Sequence, residues 1–168
     1  MREPTVQQLV DRLHMQPHPE GGFFVETYRA KKLIPHAALP DGFHGDRNSS
    51  TAIYYLLPSG AKSKLHRLAT DEIFHFYLGD PMTVVQIAPN GRVTETVLGH
   101  DILGGQTLQH VIPQGDWFGG FCNPASRFSL VGCTVAPGFD FADFEMADRE
   151  QMLREFPHAH AVIERLMA

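Results

Sequence analysis

The sequence predicts an all-β fold, a jelly-roll β-barrel with short flanking helices at its N- and C-termini. Seven short segments are rich in Val, Ile, Thr, Phe and Tyr, and turn signals such as Pro89-Asn90-Gly91 separate them. This number and spacing of strands are typical of a sandwich or barrel. No alternation of strands and helices occurs, which argues against a parallel α/β sheet. The predicted strands are residues 23–29, 51–57, 72–78, 82–88, 93–98, 107–112 and 127–135.

The two ends of the chain carry helical patterns. At the N-terminus Thr5 is a good N-cap, and Gln8 three residues later completes a capping box ahead of apolar residues at helical spacing. After Ala147 the chain is helical again, and Pro157 divides this part into two short helices. Residues 31–48 are rich in Gly, Pro and His and are predicted to form a long loop.

The composition is that of a globular protein. With 168 residues, 43% hydrophobic and 20% charged, the chain can form one domain with a full core. We place this domain, with its N-terminal helix, at residues 1–147 and a helical C-terminal extension at residues 148–168. The net charge of -5 and the scattered Lys and Arg residues argue against nucleic acid as a partner. The sequence has no signal-peptide pattern and no membrane-spanning apolar stretch, so we expect a cytoplasmic protein without a membrane partner.

The segment 60–79 resembles the first motif of the cupin superfamily. In that motif a glycine precedes two histidines one residue apart, then a glutamate and a second glycine. Metal-binding cupins hold one metal ion with these three side chains and a later histidine. Here His66 and Glu72 match, whereas Lys64 stands at the first histidine and Phe118 at the later one. Because two ligands are fewer than catalytic metal sites usually keep, we expect no cofactor, and a divalent metal, if one binds, to use His66 and Glu72.

Four further runs resemble the DUF985 (cupin-5) family more specifically. They are residues 18–24 (HPEGGFF), 26–29 (ETYR), 50–57 (STAIYYLL) and 130–139 (LVGCTVAPGF). The resemblance covers about residues 5–147. It implies a single-domain, cupin-type jelly roll that is similar in fold to the deoxysugar epimerase RmlC and forms a homodimer. It implies no settled biochemical role.

The motif residues define a candidate site. Since alternate residues of a strand face the same side of a sheet, we predict that Lys64, His66 and Glu72 point into one cavity and form the catalytic group. Glu72 stands among aromatic residues, so its carboxyl group must be paired or have a raised pKa. His75 and Tyr77 are expected on the opposite face of the strand. The expected ligand contacts are Phe74, Phe76, Trp117 and Phe118, together with Glu20 and Arg29 from the N-terminal run.

Three functions remain open. The first is a metal-independent pocket that isomerises a polar small molecule such as a sugar derivative, with His66 as base, Glu72 orienting it and Lys64 stabilising an enolate. The second is a metal-dependent cupin oxygenase or isomerase, which would need further ligands such as His75 or Gln86. The third is a non-enzymatic ligand-binding protein. Glu20 could equally have a structural role in its loop.

Overall fold

Two antiparallel β-sheets face each other in the computed structural model, which describes residues 3–123 and 127–167. In chain order the strands are β1 (Gln16–Pro17), β2 (Phe23–Arg29), β3 (Leu33–Ile34), β4 (Arg47–Asn48), β5 (Thr51–Pro58), β6 (Lys62–Leu68), β7 (Glu72–Gly79), β8 (Met82–Ile87), β9 (Val93–Leu98), β10 (Gln109–Ile112), β11 (Trp117–Cys122), β12 (Phe128–Val135) and β13 (Phe144–Met146). The larger sheet has the order β1-β2-β5-β12-β7-β10, the smaller β13-β6-β11-β8-β9, and β3 pairs with β4. This double-sheet architecture confirms the predicted jelly roll.

Short helices lie at both ends of the chain, as predicted. They are α1 (Val6–Leu13), α2 (Arg149–Glu155) and α3 (His160–Met167). Helix α1 begins at the capping box of Thr5 and Gln8, of which both hydrogen bonds are present. A 3₁₀ turn that starts at Pro157 separates α2 from α3. Within the described ranges no helix is long and apolar enough to cross a lipid bilayer.

The seven predicted strands are all present, but the set of predicted strands was incomplete. It omitted the short strands β1 and β13. It also omitted β6, which is rich in charged residues, and β11, which contains Gly119 and Gly120. Both compositions are unusual for strands, so propensity alone does not reveal them. The segment 31–48, predicted as a loop, contains the short pair β3 and β4 as well.

Apolar side chains from both sheets fill the space between them. Phe74 and Val131 come from the larger sheet, and Leu68 and Phe118 from the smaller one. Helix α1 packs Leu9 against the outer face of the larger sheet, while α2 and α3 cover the outer face of the smaller sheet. Removal of this apolar surface from water is the main force that holds the layers together.

A β-bulge in β6 decides which of its side chains face the space between the sheets. Phe118 of β11 pairs with His66, whereas Gly120 pairs with Ser63, so Lys64 and Leu65 together oppose Gly119. The bulge interrupts the alternation of the strand. Ser63 and His66 are both buried on the inner side, Leu65 is buried beneath the C-terminal helices, and Lys64 is exposed.

The bulge predicts that two adjacent substitutions change the free energy of unfolding by very different amounts. Leu65→Ala removes a fully buried side chain, so it should lower the free energy of unfolding by about 2–5 kcal/mol. Lys64→Ala alters only an exposed side chain and should change it by less than about 0.5 kcal/mol. Urea denaturation followed by circular dichroism measures both values. A comparable loss in the two variants would contradict the bulged register.

Candidate functional site

A cavity of about 210 Å³ lies between the two sheets. Strands of both sheets contribute to its wall, with Phe24 from β2, Tyr55 from β5, His66 from β6, Glu72 from β7 and Cys133 from β12. Its lining is mostly apolar, with a few titratable groups. This combination is typical of a pocket for a small molecule.

The N-terminal turn at residues 18–22 brings an acidic side chain into this cavity. The N–H of Gly21 donates to the carbonyl of His18 (3.0 Å), and the N–H of Lys64 donates to the carbonyl of Glu20 (2.9 Å). The hydroxyl of Tyr55 donates to the carbonyl of Gly21 (2.8 Å). Gly21 has a φ of +119°, and a Cβ there would lie 2.1 Å from the carbonyl oxygen of Lys62. Only glycine therefore allows this close approach, which fixes Glu20 in place.

Glu20 and His66 are in direct contact. Oε2 of Glu20 lies 3.1 Å from Nε2 of His66, and Oε1 accepts a hydrogen bond of 2.9 Å from the hydroxyl of Ser63. The other ring nitrogen of His66, Nδ1, lies 2.7 Å from the carbonyl oxygen of Lys64 and must donate to it. In a neutral imidazole Nε2 is then an acceptor, so a proton must lie between it and the carboxyl group of Glu20.

Burial favours the neutral form of both partners. It lowers the pKa of His66 to about 4, against the effect of the Lys64 carbonyl, which raises it. It also raises the pKa of Glu20, although His18 and hydrogen bonds from Ser63 and Tyr55 act in the opposite direction. We therefore assign the shared proton to Glu20, which donates it to Nε2 of His66. Nδ1 of His18 lies 3.3 Å from the same carboxyl oxygen.

Glu72 is a second buried carboxyl group in the cavity. Its side chain belongs to a residue that is 8% exposed. Burial is the largest cause that raises its pKa to about 8, an ionised Glu20 would add to the increase, and a hydrogen bond from Cys133 opposes it. Burial also keeps the pKa of the Cys133 thiol well above its ordinary value, so the thiol retains its proton and donates a hydrogen bond to Glu72. Glu72 is therefore largely protonated near neutral pH.

Three phenylalanines between β12 and α2 form an aromatic wall of the cavity. The ring centroids of Phe139 and Phe141 are 4.9 Å apart, and those of Phe141 and Phe144 are 5.8 Å apart, both in edge-to-face geometry. The ring of His18 stacks on Phe141 at 5.9 Å. The segment is held by the ion pair of Arg47 with Asp143, in which both side chains are buried.

The structure brings five of the predicted site residues to this cavity: Glu20, Arg29, His66, Glu72 and Phe74. Whether they contact a ligand stays a prediction. The placement of Lys64 in the cavity was wrong. Its side chain is exposed, because the bulge turns it away from the face that carries His66. On this face the residue next to His66 is Leu68, which does line the cavity.

Three predicted wall residues lie elsewhere. Trp117 packs beneath the C-terminal helices, since its neighbour Phe118 faces inward and adjacent strand residues face opposite sides. Phe118 is fully buried behind His66, with a centroid distance of 4.0 Å between the rings. Phe76 lies in the core against the ring of His100. None of these three residues is among those that line the cavity.

Sequence reasoning missed several residues of the site. His18 precedes Glu20 by two positions in the distinctive N-terminal run, so that run gave a signal for both. The spacing of Phe139, Phe141 and Phe144 after the predicted last strand was a weaker signal. Tyr55 gave none, because an aromatic residue in a strand is most often a core residue.

The ligand positions of the cupin motif hold few metal donors in this chain. The two positions of β6 that face the cavity one residue apart hold His66 and Leu68, and Phe118 stands at the later ligand position. His75 does not add a ligand, since it is bonded to Thr134 and Gln109 away from the cavity. Gln86 contacts Asp116 and His110 instead. Among the described residues no group of three or more His, Cys, Asp or Glu side chains could hold a metal ion.

A double-sheet jelly roll with its site on the inner faces of β6 and β7 defines a cupin. The model of the family described as Cupin superfamily (DUF985) matches residues 7–147. The chain belongs to this family, and the resemblance found in the sequence is confirmed.

The relatives of the chain extend over almost its whole length. An uncharacterized protein of Saccharomyces cerevisiae, YML079W, is 33% identical over an alignment of 165 positions that covers 92% of this chain and 82% of the yeast protein. The solved structure of protein SO0799 from Shewanella oneidensis is 36% identical, with a TM-score of 0.86 and 98% of each chain covered. A hypothetical protein from Leishmania major is 30% identical, with a TM-score of 0.87, over 97% of this chain and 98% of the other. These names assign no activity.

The raised pKa of Glu72 predicts how the stability depends on pH. The group ionises near its ordinary value of 4.5 in the unfolded chain and near 8 in the folded protein, so unfolding between these values releases a proton. Stability must therefore fall as the pH rises through this window. Glu72→Gln removes the effect, and its stability relative to the wild type should increase by about 3 kcal/mol between about pH 5 and pH 8.

Urea denaturation at several pH values measures this difference. Glu145→Gln is the matched control, because Glu145 is an exposed partner of Arg67 outside the cavity. Its difference from the wild type should stay nearly constant over the same range. If the curves of Glu72→Gln and the wild type run parallel, Glu72 is ionised in the folded protein.

Proposed function

We propose that this cupin binds a small polar metabolite between its sheets and moves a proton on it without a metal ion, as an isomerase or epimerase does. A sugar derivative or a similar ring-bearing molecule suits a cavity with aromatic walls and a few polar groups. The observation that carries the proposal is the contact of Glu20 with His66, which holds one exchangeable proton at the cavity wall.

Glu20 and His66 have complementary roles in such a reaction. Glu20 would donate its proton to a carbonyl oxygen of the substrate, and this frees Nε2 of His66 to accept a proton from the neighbouring carbon. The C–H bond breaks, its electron pair forms the C=C bond of an enol, and the carbonyl oxygen becomes a hydroxyl. The enol hydroxyl then returns its proton to Glu20 as the carbonyl forms again, and His66 returns its proton to the same carbon, on the other face if the enol has turned over. In an α-hydroxy carbonyl compound His66 can instead protonate the former carbonyl carbon, while the neighbouring hydroxyl gives its proton to Glu20 and becomes the new carbonyl. The cycle leaves both residues in their starting form.

The surroundings of the pair favour this exchange. Nδ1 of His66 is held by the Lys64 carbonyl, so Nε2 stays aimed at Glu20. The ring of Phe118 supports the imidazole from behind. Because burial favours the neutral form of both partners, the site can hold this proton without an isolated buried charge. Glu72 is a further polar group of the cavity that would contact and orient the ligand.

The contact between Glu20 and His66 predicts that removal of the His66 imidazole abolishes retention of the ligand. Small molecules that co-purify with the wild type, His66→Ala and His75→Ala should be extracted and identified by mass spectrometry. We expect a compound enriched with the wild type to be lost from His66→Ala. It should remain with His75→Ala, because His75 lies outside the cavity. Equal enrichment in all three proteins would contradict the proposed site.

Exchange with solvent separates catalysis from binding. The identified compound, incubated in D₂O with the wild-type protein, should exchange a C–H next to its carbonyl for deuterium, as seen by NMR. Binding without any exchange would overturn the proton-transfer step and favour a non-enzymatic ligand-binding protein.

The metal-dependent alternative is tested by elemental analysis of tag-free protein. Because only His66 and Glu72 occupy ligand positions, we expect far less than one metal ion per chain. About one zinc, iron, manganese or nickel ion per chain in the wild type, and its loss in His66→Ala, would favour the metal-dependent oxygenase or isomerase instead.

A further inference from the structure

Acidic side chains outnumber basic ones around the cavity. Four carboxyl groups line it: Glu20 and Glu72 are buried, and Glu26 and Asp140 are exposed at its solvent side. Of the described lining residues only Arg29 carries a permanent positive charge. A ligand with a negative charge would meet more repulsion than attraction in such a site.

Arg29 is already committed to neighbouring groups. Its Nε and Nη2 donate to the two carboxyl oxygens of Glu26 at 2.9 and 2.7 Å. Nη1 donates to the side chain of Asn48 at 2.8 Å, and Nη2 also donates to the carbonyl of Phe139 at 3.2 Å. The guanidinium group therefore holds the cavity edge together and balances Glu26, so it does not compensate the interior acids.

Among the residues that the structure describes, Glu72 is the interior acid without a strong hydrogen-bonding partner. The hydrogen bond that it receives comes from the thiol of Cys133, which is a weak donor. Glu20, in contrast, is bonded to Ser63 and His66. A buried carboxylate is stable only with a cation or several good donors, so Glu72 keeps its proton until such a group arrives. The faces of nearby phenyl rings, Phe74 among them, attract positive charge as well.

We propose that the ligand of this cavity carries a protonated amine, and that the ammonium group pairs with Glu72. The inference rests on the proposed function, since it assumes that the cavity binds a small molecule, and it adds the chemical class. A ring-bearing amine, of which an amino sugar is one example, combines the ammonium group with a body that fits aromatic walls. The site selects against carboxylates and phosphates.

Pairing has a defined proton balance. The neutral carboxyl group of Glu72 releases its proton to solvent, and the carboxylate that remains binds the ammonium group of the ligand. The other titratable groups of the cavity interior are His18, Glu20, Tyr55, His66 and Cys133. Burial favours the neutral form of each of these five groups. The remaining charged groups, Glu26, Arg29 and Asp140, lie at the exposed edge. One proton per bound cation is therefore expected near neutral pH.

Three probes with one ring and different charges test the proposal: cyclohexylammonium, cyclohexanol and cyclohexanecarboxylate. An alkylammonium like that of lysine stays charged well above neutral pH, up to about 10. Isothermal titration calorimetry in two buffers of different protonation enthalpy gives the affinity and the number of protons released. We expect the ammonium probe to bind the wild type at least about tenfold more tightly than cyclohexanol. Its affinity should rise about tenfold per pH unit below the pKa of Glu72.

Two variants locate the effect. Glu72→Gln should abolish both the preference for the ammonium probe and the proton release, while Glu145→Gln, outside the cavity, should keep both. The proton count of the wild type tests the proposal even if Glu72→Gln does not fold. Tighter binding of cyclohexanol or the carboxylate, or cation binding without proton release, would overturn the inference but leave the proposed function standing. If no probe binds the wild type, the cavity does not take ring-bearing ligands and the proposed function fails with it.

Discussion

A single backbone hydrogen bond, from the N–H of Lys64 to the carbonyl of Glu20, joins the two parts of the site. The bond is made at the bulge in β6, where Lys64 and Leu65 oppose the single residue Gly119 and the regular ladder between β6 and β11 is interrupted. The N-terminal turn supplies the acceptor that the N–H of Lys64 needs. The bond thus holds Glu20 beside Lys64, two residues before His66, whose ring contacts the carboxyl group of Glu20.

The same bulge couples the stability of the fold to the geometry of the site. Gly21 can approach β6 only because it lacks a side chain, and Tyr55 closes the turn from β5. Any change that moved β6 relative to β5 would alter the 3.1 Å contact between Glu20 and His66 before it exposed the core. The polar groups of the cavity are therefore held by rigid strands on both sides, which is what a preorganised site requires.

Low polarity around the cavity gives its acids and imidazole a common behaviour. Burial raises the pKa of Glu20 and Glu72 and lowers that of His66, so it favours the neutral form of all three. A cavity with several titratable groups but little fixed charge avoids the large cost of burying isolated ions. Its chemistry is then governed by where protons lie, and an incoming ligand changes the charge state of the protein when it binds.

The sequence was sufficient for the fold and for part of the site. Alternating strand patterns, helix caps and family runs predicted the jelly roll, and the motif spacing predicted His66 and Glu72 correctly as cavity residues. The error at Lys64 arose because a bulge shifts the alternation by one residue, and nothing in the pattern of β6 marks it. The prediction that Trp117 lines the cavity was wrong for the opposite reason. Trp117 and Phe118 are adjacent, and strict alternation already places adjacent strand residues on opposite faces. Contacts such as that of Glu20 with His66 depend on a turn that meets a strand distant in sequence.

The arrangement of His66 also determines what its imidazole can do. Nδ1 is bonded to the Lys64 carbonyl and Nε2 faces Glu20, so the ring is held with one nitrogen directed at a carboxyl group. Phe118 stands at the later ligand position of the cupin motif and Leu68 follows His66 on the inner face of β6, so neither position supplies a polar donor. The contact of His66 with Glu20 holds a proton instead. Since that proton lies at the cavity wall, where it can be exchanged with a bound molecule, the contact suits the acid–base chemistry that we propose.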